Sequence, residues 1–357
     1  MSTTIAVLGG DGIGPEVTHA ALQVLQTVRP DLRYVEAPVG ASALKNGLPA
    51  LPDQTRALCD RSAAILFGAV GLPEYEGRRL QERPEYALFV LRRDYELYAN
   101  IRPVQVFAGL EDASSLKPEV VRGLDLVVIR ELTGGIYFGQ PKETRVIDGI
   151  ETAIDTMMYR PPEVERIARV AFELARNRRR LVTSVDKQNI LETSRLWRRV
   201  VDTVAKEYPD VRLEHLLVDN AAMQLVKAPK AFDVLLTENM FGDILSDEAA
   251  ILTGSIGNLP SASLGARGSP GKQFGLYEPI SGSAPDIAGK GIANPVAAIL
   301  SGAMLLRHSL DDQPGAKKIE TAVGTAIANG ARTADLLGVG QKSLSTIEFT
   351  QSVLAYC

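Results

Sequence analysis

The sequence predicts an α/β protein of two domains, and three observations lead there. Its 357 residues, at about 150 per domain, are chain enough for two cores. Apolar strand-like runs alternate with stretches of helical periodicity, the pattern of a sheet flanked by helices. The chain also opens on strand, turn and helix: residues 5–8 are apolar, GGDGIG turns, and Val17, Ala20, Ala21, Val24, Leu25 and Val28 recur at three and four.

Later elements follow the same rule. Pro161 and Pro162 start a helix whose Val164, Ile167, Ala168, Ala171, Leu174 and Ala175 share a face. It ends in the basic run RNRRR, expected to be solvated at the negative end of the helix dipole. LVTSV at 181–185, RLEHLLV at 212–218 and FDVLLT at 232–237 read as strands. Between 144 and 154, Asp148-Gly149 supplies a two-residue hairpin turn that could project. Gly, Ser and Pro concentrate over 254–275, which reads as a loop-rich passage where the chain crosses between domains, with another crossing near 100–103.

Composition excludes several classes. Thirty-nine basic against 43 acidic residues leave −4, so no positive field points to nucleic acid or an anionic membrane. Cys59 and Cys357 are far apart in sequence and cannot form a CxxC pair or a disulfide framework. Three scattered histidines make a His-rich metal cage unlike this chain, so a metal would need oxygen ligands. The start lacks the basic and apolar regions of an export signal, and the longest uncharged stretch, 249–266, contains Pro260 and five Ser, Thr or Asn. The expectation is a cytoplasmic protein. A two-domain solute-binding protein, the rival from another class, is disfavoured by the same missing signal.

The GGDGIG turn offers no frame for GxGxxG, so its glycines are read as packing glycines rather than a Rossmann phosphate loop. TENMFGDILSDEA carries more. Asp243 and Asp247 stand four apart, about 40° from each other on one helix face, and two like charges there need a neutralising partner. A hard divalent cation would serve, with Asp219 as a third carboxylate after the strand RLEHLLV. Arg92 and Arg102 in VLRRDYELYANIRP, and Arg130 ending LDLVVIR, are forks suited to carboxylates. Tyr137 in GGIYFG and Lys187 in VDKQN follow strands; a lysine desolvated there is a usable base.

In this order, GDGIGPE, LRRDYELYANIRP, RELTGGIYFG, VDKQN, NMFGDILSDEA and GSAPDIAGKGIANP resemble the β-decarboxylating dehydrogenases. The resemblance runs from Ile5 to about Leu306. It implies two α/β domains sharing one large mixed sheet, unlike a Rossmann fold: a nucleotide-binding domain of 1–101 and 254–357, and a dimerisation, metal and substrate domain of 102–253 with an arm at 139–156. Homodimers with active sites shared between subunits are implied too.

Residue by residue, the resemblance makes Arg92, Arg102 and Arg130 the clamp on malate carboxylates. Asp243 and Asp247, with Asp219 of the partner subunit, which also touches substrate, become the ligands of Mg²⁺ or Mn²⁺. Lys187, also of the partner subunit, takes the hydroxyl proton, and Tyr137 protonates the enolate carbon. NAD falls to Gly282, Ser283, Ala284, Pro285, Asp286 and Ile287, with Ile13, Glu278 and Asn294 nearby and Asn189 toward the nicotinamide. Asp286 repels a 2′-phosphate, favouring NAD over NADP. Leu88 faces the C3 substituent, so an apolar one is expected: 3-isopropylmalate, giving 4-methyl-2-oxopentanoate and CO₂ in leucine biosynthesis. Isocitrate, homoisocitrate and tartrate are the alternatives within the family, and a third carboxylate against leucine would be costly.

Overall fold

The computed structural model describes residues 3–269, 272–337 and 342–357. Its strands are β1 (Thr4–Gly10), β2 (Arg33–Glu36), β3 (Ala64–Ala69), β4 (Ala99–Gln105), β5 (Asp125–Glu131), β6 (Lys142–Ile147), β7 (Ile150–Asp155), β8 (Leu181–Asp186), β9 (Arg212–Leu217), β10 (Val234–Thr237), β11 (Pro260–Ser269) and β12 (Lys272–Pro279). The chain divides into a first unit of Met1–Leu97, Gln105–Gly123 and Ala250–Cys357, and a second of Tyr98–Val104 and Leu124–Ala249. Each unit holds five strands of sheet, in keeping with the α/β class the alternation predicts, and each is described by itself.

In the first unit the order is β2-β1-β3-β12-β11. β1 lies parallel to β2 and β3, β12 runs parallel to β3, and β11 is antiparallel to β12. A Rossmann sheet continues outward with parallel strands, so this order is a different one. Every residue of β3, AILFGA, is buried, as a strand covered on both faces requires. Helix Gly14–Val28 starts with proline in its first turn and buries Val17, Ala20, Ala21, Val24 and Leu25. Helix Val296–Ser309 is buried on almost all sides, and at Gly302 a Cβ would stand 3.1 Å from Leu25.

The described residues of 254–275 are not mainly loop. They hold β11 and the first half of β12 instead, and Ser261, Ala262, Ser263 and Leu264 are all buried. Small residues that look like loop composition here let strands pack closely; the register shifts between Leu264 and Gly268, where Gly268 has φ 112°.

The second unit has the order β4-β5-β10-β8-β9, with β5, β10, β8 and β9 parallel. Separate from these, β6 and β7 form the hairpin expected from the sequence, pairing Ile147 with Ile150. Its turn residues Asp148 and Gly149 have φ 51° and 78°, the two left-handed positions that an Asp-Gly turn favours. Helix Pro161–Arg176 buries Val164, Ile167, Ala168, Ala171, Phe172 and Ala175. Phe172 thus replaces Leu174 in the stripe, since 164, 168, 172 and 175 keep closer to a 3.6 period.

The RNRRR run is more than a solvated helix end. Asp233, fully buried ahead of β10, accepts from Arg178 Nε at 2.8 Å and from the Arg179 N–H at 2.8 Å. A buried carboxylate needs such donors, and the helix dipole argument does not foresee them. Among the described residues no helix is long and apolar enough to cross a membrane.

Candidate functional site

Five of the expected residues meet in the second unit. Arg130 is the second-last residue of β5 and β4 carries Arg102, and they are 2% and 6% exposed. A buried guanidinium must have acceptors, and helix Asn239–Ile251 supplies most of them. Arg130 Nη1 donates to Asp243 Oδ1, and its Nε and Nη2 donate to Asn239 Oδ1 at 3.0 and 2.8 Å. Arg102 donates to Asn100 Oδ1 at 2.7 Å and to Ser246 Oγ at 2.6 Å, and it reaches Asp247 Oδ1 at 3.5 Å and Asp243 Oδ1 at 3.8 Å. Glycine is required between these contacts: at Gly242 a Cβ would stand 2.3 Å from Thr237 Oγ1 and 2.7 Å from Arg130 Cγ.

Tyr137 lies in the short turn Gly135–Tyr137 after β5 and donates to Asp243 Oδ2 at 3.0 Å. Burial first, then the Asp243 charge, raises its pKa, so the phenol keeps its proton at neutral pH. Burial also raises Asp247, the Asp243 charge adds to this, and Arg102 and Arg130 oppose it. Two guanidinium and two carboxylate groups therefore balance. Such a set can admit a dianion and a divalent cation together while staying neutral.

Lys187 and Asp219 form a pair of their own at 2.7 Å. Lys187 follows β8, and Asp219 sits in the first turn of helix Val218–Lys227. The lysine's hydrogen bond, first, and the Asp219 backbone hold this carboxyl below its usual range. Asn189 is exposed in the turn that follows. Among the described residues no three His, Cys, Asp or Glu side chains converge on one point. Asp243 and Asp247 thus offer two hard oxygen donors that lack a third carboxylate.

The first unit carries the remaining residues. Leu88, on helix Tyr86–Asp94, is half-buried against the core cluster of Leu91, Leu97 and Phe274. Arg92 on the same helix donates to Glu278 Oε1 at 2.9 Å, so an expected carboxylate clamp and an expected nucleotide contact are paired. The Ile13 N–H donates to the Ser283 carbonyl at 2.8 Å, which ties the GGDGIG turn to the Gly282–Ile287 loop. A Cβ on Gly12 would stand 1.9 Å from that carbonyl oxygen, as the packing reading of these glycines expects. Gly282, Pro285 and Asp286 are exposed, Ile287 is partly buried, and Ala284 has φ 38°. Asn294 donates to Asn258 and Asp335, each at 3.0 Å, and accepts from the Val296 N–H.

Several residues of the network were not singled out from sequence. Asp11 is 4% exposed and accepts from the N–H groups of Ala41, Ser42 and Gly71 at 3.0, 3.1 and 3.0 Å. Its signal was an acid placed among packing glycines. Asn239 precedes the acidic pair in NMFGDILSDEA and Ser246 lies between its two members, and their proximity to it was the available cue.

The Isocitrate/isopropylmalate dehydrogenase family model matches residues 4–353. The chain is 53% identical to a 3-isopropylmalate dehydrogenase of Symbiobacterium thermophilum, covering 98% of this chain and 97% of that one. It is 54% identical to another of that name from Bordetella avium, over 99% of both. An isocitrate dehydrogenase structure from Methylococcus capsulatus superimposes with a TM-score of 0.87 at 35% identity, covering 99% of each chain. With the family model spanning nearly the whole length, the chain belongs to the isocitrate/isopropylmalate dehydrogenase family.

Proposed function

We propose that this protein oxidises and decarboxylates 3-isopropylmalate with NAD, yielding 4-methyl-2-oxopentanoate and CO₂ for leucine biosynthesis in the cytoplasm. The observation that carries the reading is the cluster in which the buried Arg102 and Arg130 meet the more exposed Asp243, Asp247 and Tyr137. The names of the relatives support the substrate. Arg92, Arg102 and Arg130 hold the two malate carboxylates, and Leu88 covers the isopropyl group with apolar surface. Lys187 accepts the hydroxyl proton as the C2–H bond breaks. After the C3–carboxylate bond breaks, Tyr137 returns a proton to carbon, so one proton is taken and one given.

Asp243, Asp247 and the partner subunit's Asp219 would hold Mg²⁺ or Mn²⁺. When bound, NAD supplies the hydride acceptor and the cation supplies polarisation of the C2 oxygen and an electron sink for CO₂ loss. A second copy of the chain would provide the third carboxylate together with Lys187. The second unit's exposed apolar residues fit that homodimer: Val146 and Ile150 on the hairpin are 70% and 68% exposed, and Met223 and Ile244 on helices are 60% each. The test is NADH formation with Mg²⁺ and either 3-isopropylmalate or isocitrate. A kcat/KM at least a hundredfold higher for 3-isopropylmalate is expected; equal or reversed values overturn the reading.

A further inference from the structure

Behind Arg130 and Tyr137 lies a buried junction to which the chemistry above assigns nothing. Asn239 is fully buried. Its Oδ1 accepts two hydrogen bonds from Arg130, 3.0 Å from Nε and 2.8 Å from Nη2. Its Nδ2 donates to the Gly134 carbonyl at 3.0 Å, and Gly134 leads directly into the turn bearing Tyr137. A single planar amide thus grips the edge of the guanidinium with one atom and the Tyr137 turn with the other.

The amide is itself held. The Asn239 N–H donates to the Tyr159 hydroxyl at 3.0 Å, and that oxygen lies 3.3 Å from Glu238 Oε2 and 3.5 Å from Glu131 Oε2. Glu238 Oε1 accepts from the Phe241 N–H at 2.6 Å, fixing the start of the helix that carries Asp243. Glu131 accepts from the Gly134 N–H at 2.7 Å and the Thr133 hydroxyl at 2.7 Å, fixing the same turn from its other side. Polar groups buried this deeply are rigid when they are satisfied.

We infer that Asn239 is a positioning residue, whose one amide sets both the plane of the Arg130 guanidinium and the location of the Tyr137 turn. The substrate-carboxylate donor and the proton donor then keep a fixed separation while chemistry proceeds. This inference rests on the roles proposed above for Arg130 and Tyr137. Its two halves separate by mutation: Asn239→Asp keeps the acceptor facing Arg130 but puts a carboxylate oxygen against the Gly134 carbonyl, whereas Asn239→Ala removes both contacts.

For Asn239→Asp the expected result is a KM for 3-isopropylmalate within threefold of the parent and a kcat at least tenfold lower. In a Tyr137→Phe background the same change should lower kcat by less than twofold, since the group it misplaces is already gone. For Asn239→Ala both constants should worsen tenfold or more. A merely structural asparagine would lower the melting temperature while leaving KM and kcat of the folded enzyme unchanged, and that result overturns the inference. Hydrogen exchange of the intact protein adds a readout independent of turnover: amides at 134–138 should exchange at least tenfold faster in Asn239→Asp, and unchanged exchange overturns the inference too. If the parent enzyme forms no NADH from 3-isopropylmalate, the proposed function falls, while exchange at 134–138 still decides whether Asn239 holds the turn.

Discussion

The acid and arginine cluster of the second unit and the glycine-rich loop of the first are built in opposite ways. In the cluster, Arg130, Arg102, Asn239 and Ser246 are all buried, and each is fixed by hydrogen bonds between strand ends and one helix. The Gly282–Ile287 loop lies outside regular structure, with Gly282, Pro285 and Asp286 exposed, and it is tied back through the Ile13–Ser283 bond. The difference teaches where precision is needed under the proposed function: groups that would meet reacting atoms are held on rigid elements, and recognition of a ribose would tolerate a solvated loop. Substitutions should accordingly cost far more in the cluster than in the loop.

The largest effect should come from pairing a lesion in the cluster, at Asp243, with one at Lys187, which lies in a separate pair with Asp219. Lys187→Met and Asp243→Asn should each lower kcat a thousandfold or more as homodimers. If Lys187 serves the partner's site, a mixed dimer has one doubly damaged site and one intact site. Random assembly after co-expression makes about half the dimers mixed, so roughly a quarter of all sites should recover. A mixture shown by differential tags to contain mixed dimers, yet no more active than either parent variant, removes the shared-site assignment.

Two glycines sharpen the contrast through stability. Gly242→Ala gains about 1 kcal/mol of helix propensity, but its Cβ must displace Thr237 Oγ1 at 2.3 Å and Arg130 Cγ at 2.7 Å. Overpacking of this kind costs about 1–3 kcal/mol and pushes Arg130 from its acceptors, so sterics should win and kcat/KM should fall at least tenfold. At Gly282 a Cβ meets nothing within 4 Å, so Gly282→Ala should leave stability within about 0.5 kcal/mol of the parent. Urea unfolding of both variants checks this; equal destabilisation would erase the distinction between the regions.

That distinction also governs how much the sequence revealed. Asp243 and Asp247 announce themselves because an i,i+4 acid pair in an apolar helix is electrostatically odd, and Arg130 because it lies near the end of a buried strand. The hairpin was equally legible, since Asp148-Gly149 suits only a few turn types. Asp11, Asn239 and Asp233 were not: each acts through backbone or side-chain partners brought from distant sequence, and no local spacing encodes them. β11 was missed for a related reason, because serine and alanine in a buried strand have the composition of a loop.

Leu88 tests an intermediate case, a proposed pocket residue on a helix, partly buried against the core. Leu88→Thr replaces apolar contact with a hydroxyl, which should lower kcat/KM for 3-isopropylmalate by about 1–3 kcal/mol, or about tenfold to a hundredfold. Isocitrate use need not appear with one change. An unaltered kcat/KM takes Leu88 out of the pocket.

The smallest effect is expected at Asp286, where solvent screens every charge. Being exposed, its carboxylate, in the proposed role, would act on a 2′-phosphate through water, where two unit charges 4 Å apart interact by only about 1 kcal/mol. Asp286→Lys with Ile287→Tyr reverses the sign of that term, exchanging repulsion of a 2′-phosphate for attraction, so the ratio of kcat/KM for NADP over NAD should rise on the order of tenfold or more. Because the cause is a screened surface charge, the gain should also shrink as ionic strength rises from about 0.01 M to about 1 M, where the Debye length falls from about 30 to about 3 Å. Stability should barely change, in contrast to Gly242→Ala. A ratio that does not move toward NADP shows that the ribose is recognised elsewhere, and a shift insensitive to salt shows that the new side chains act by shape instead of charge.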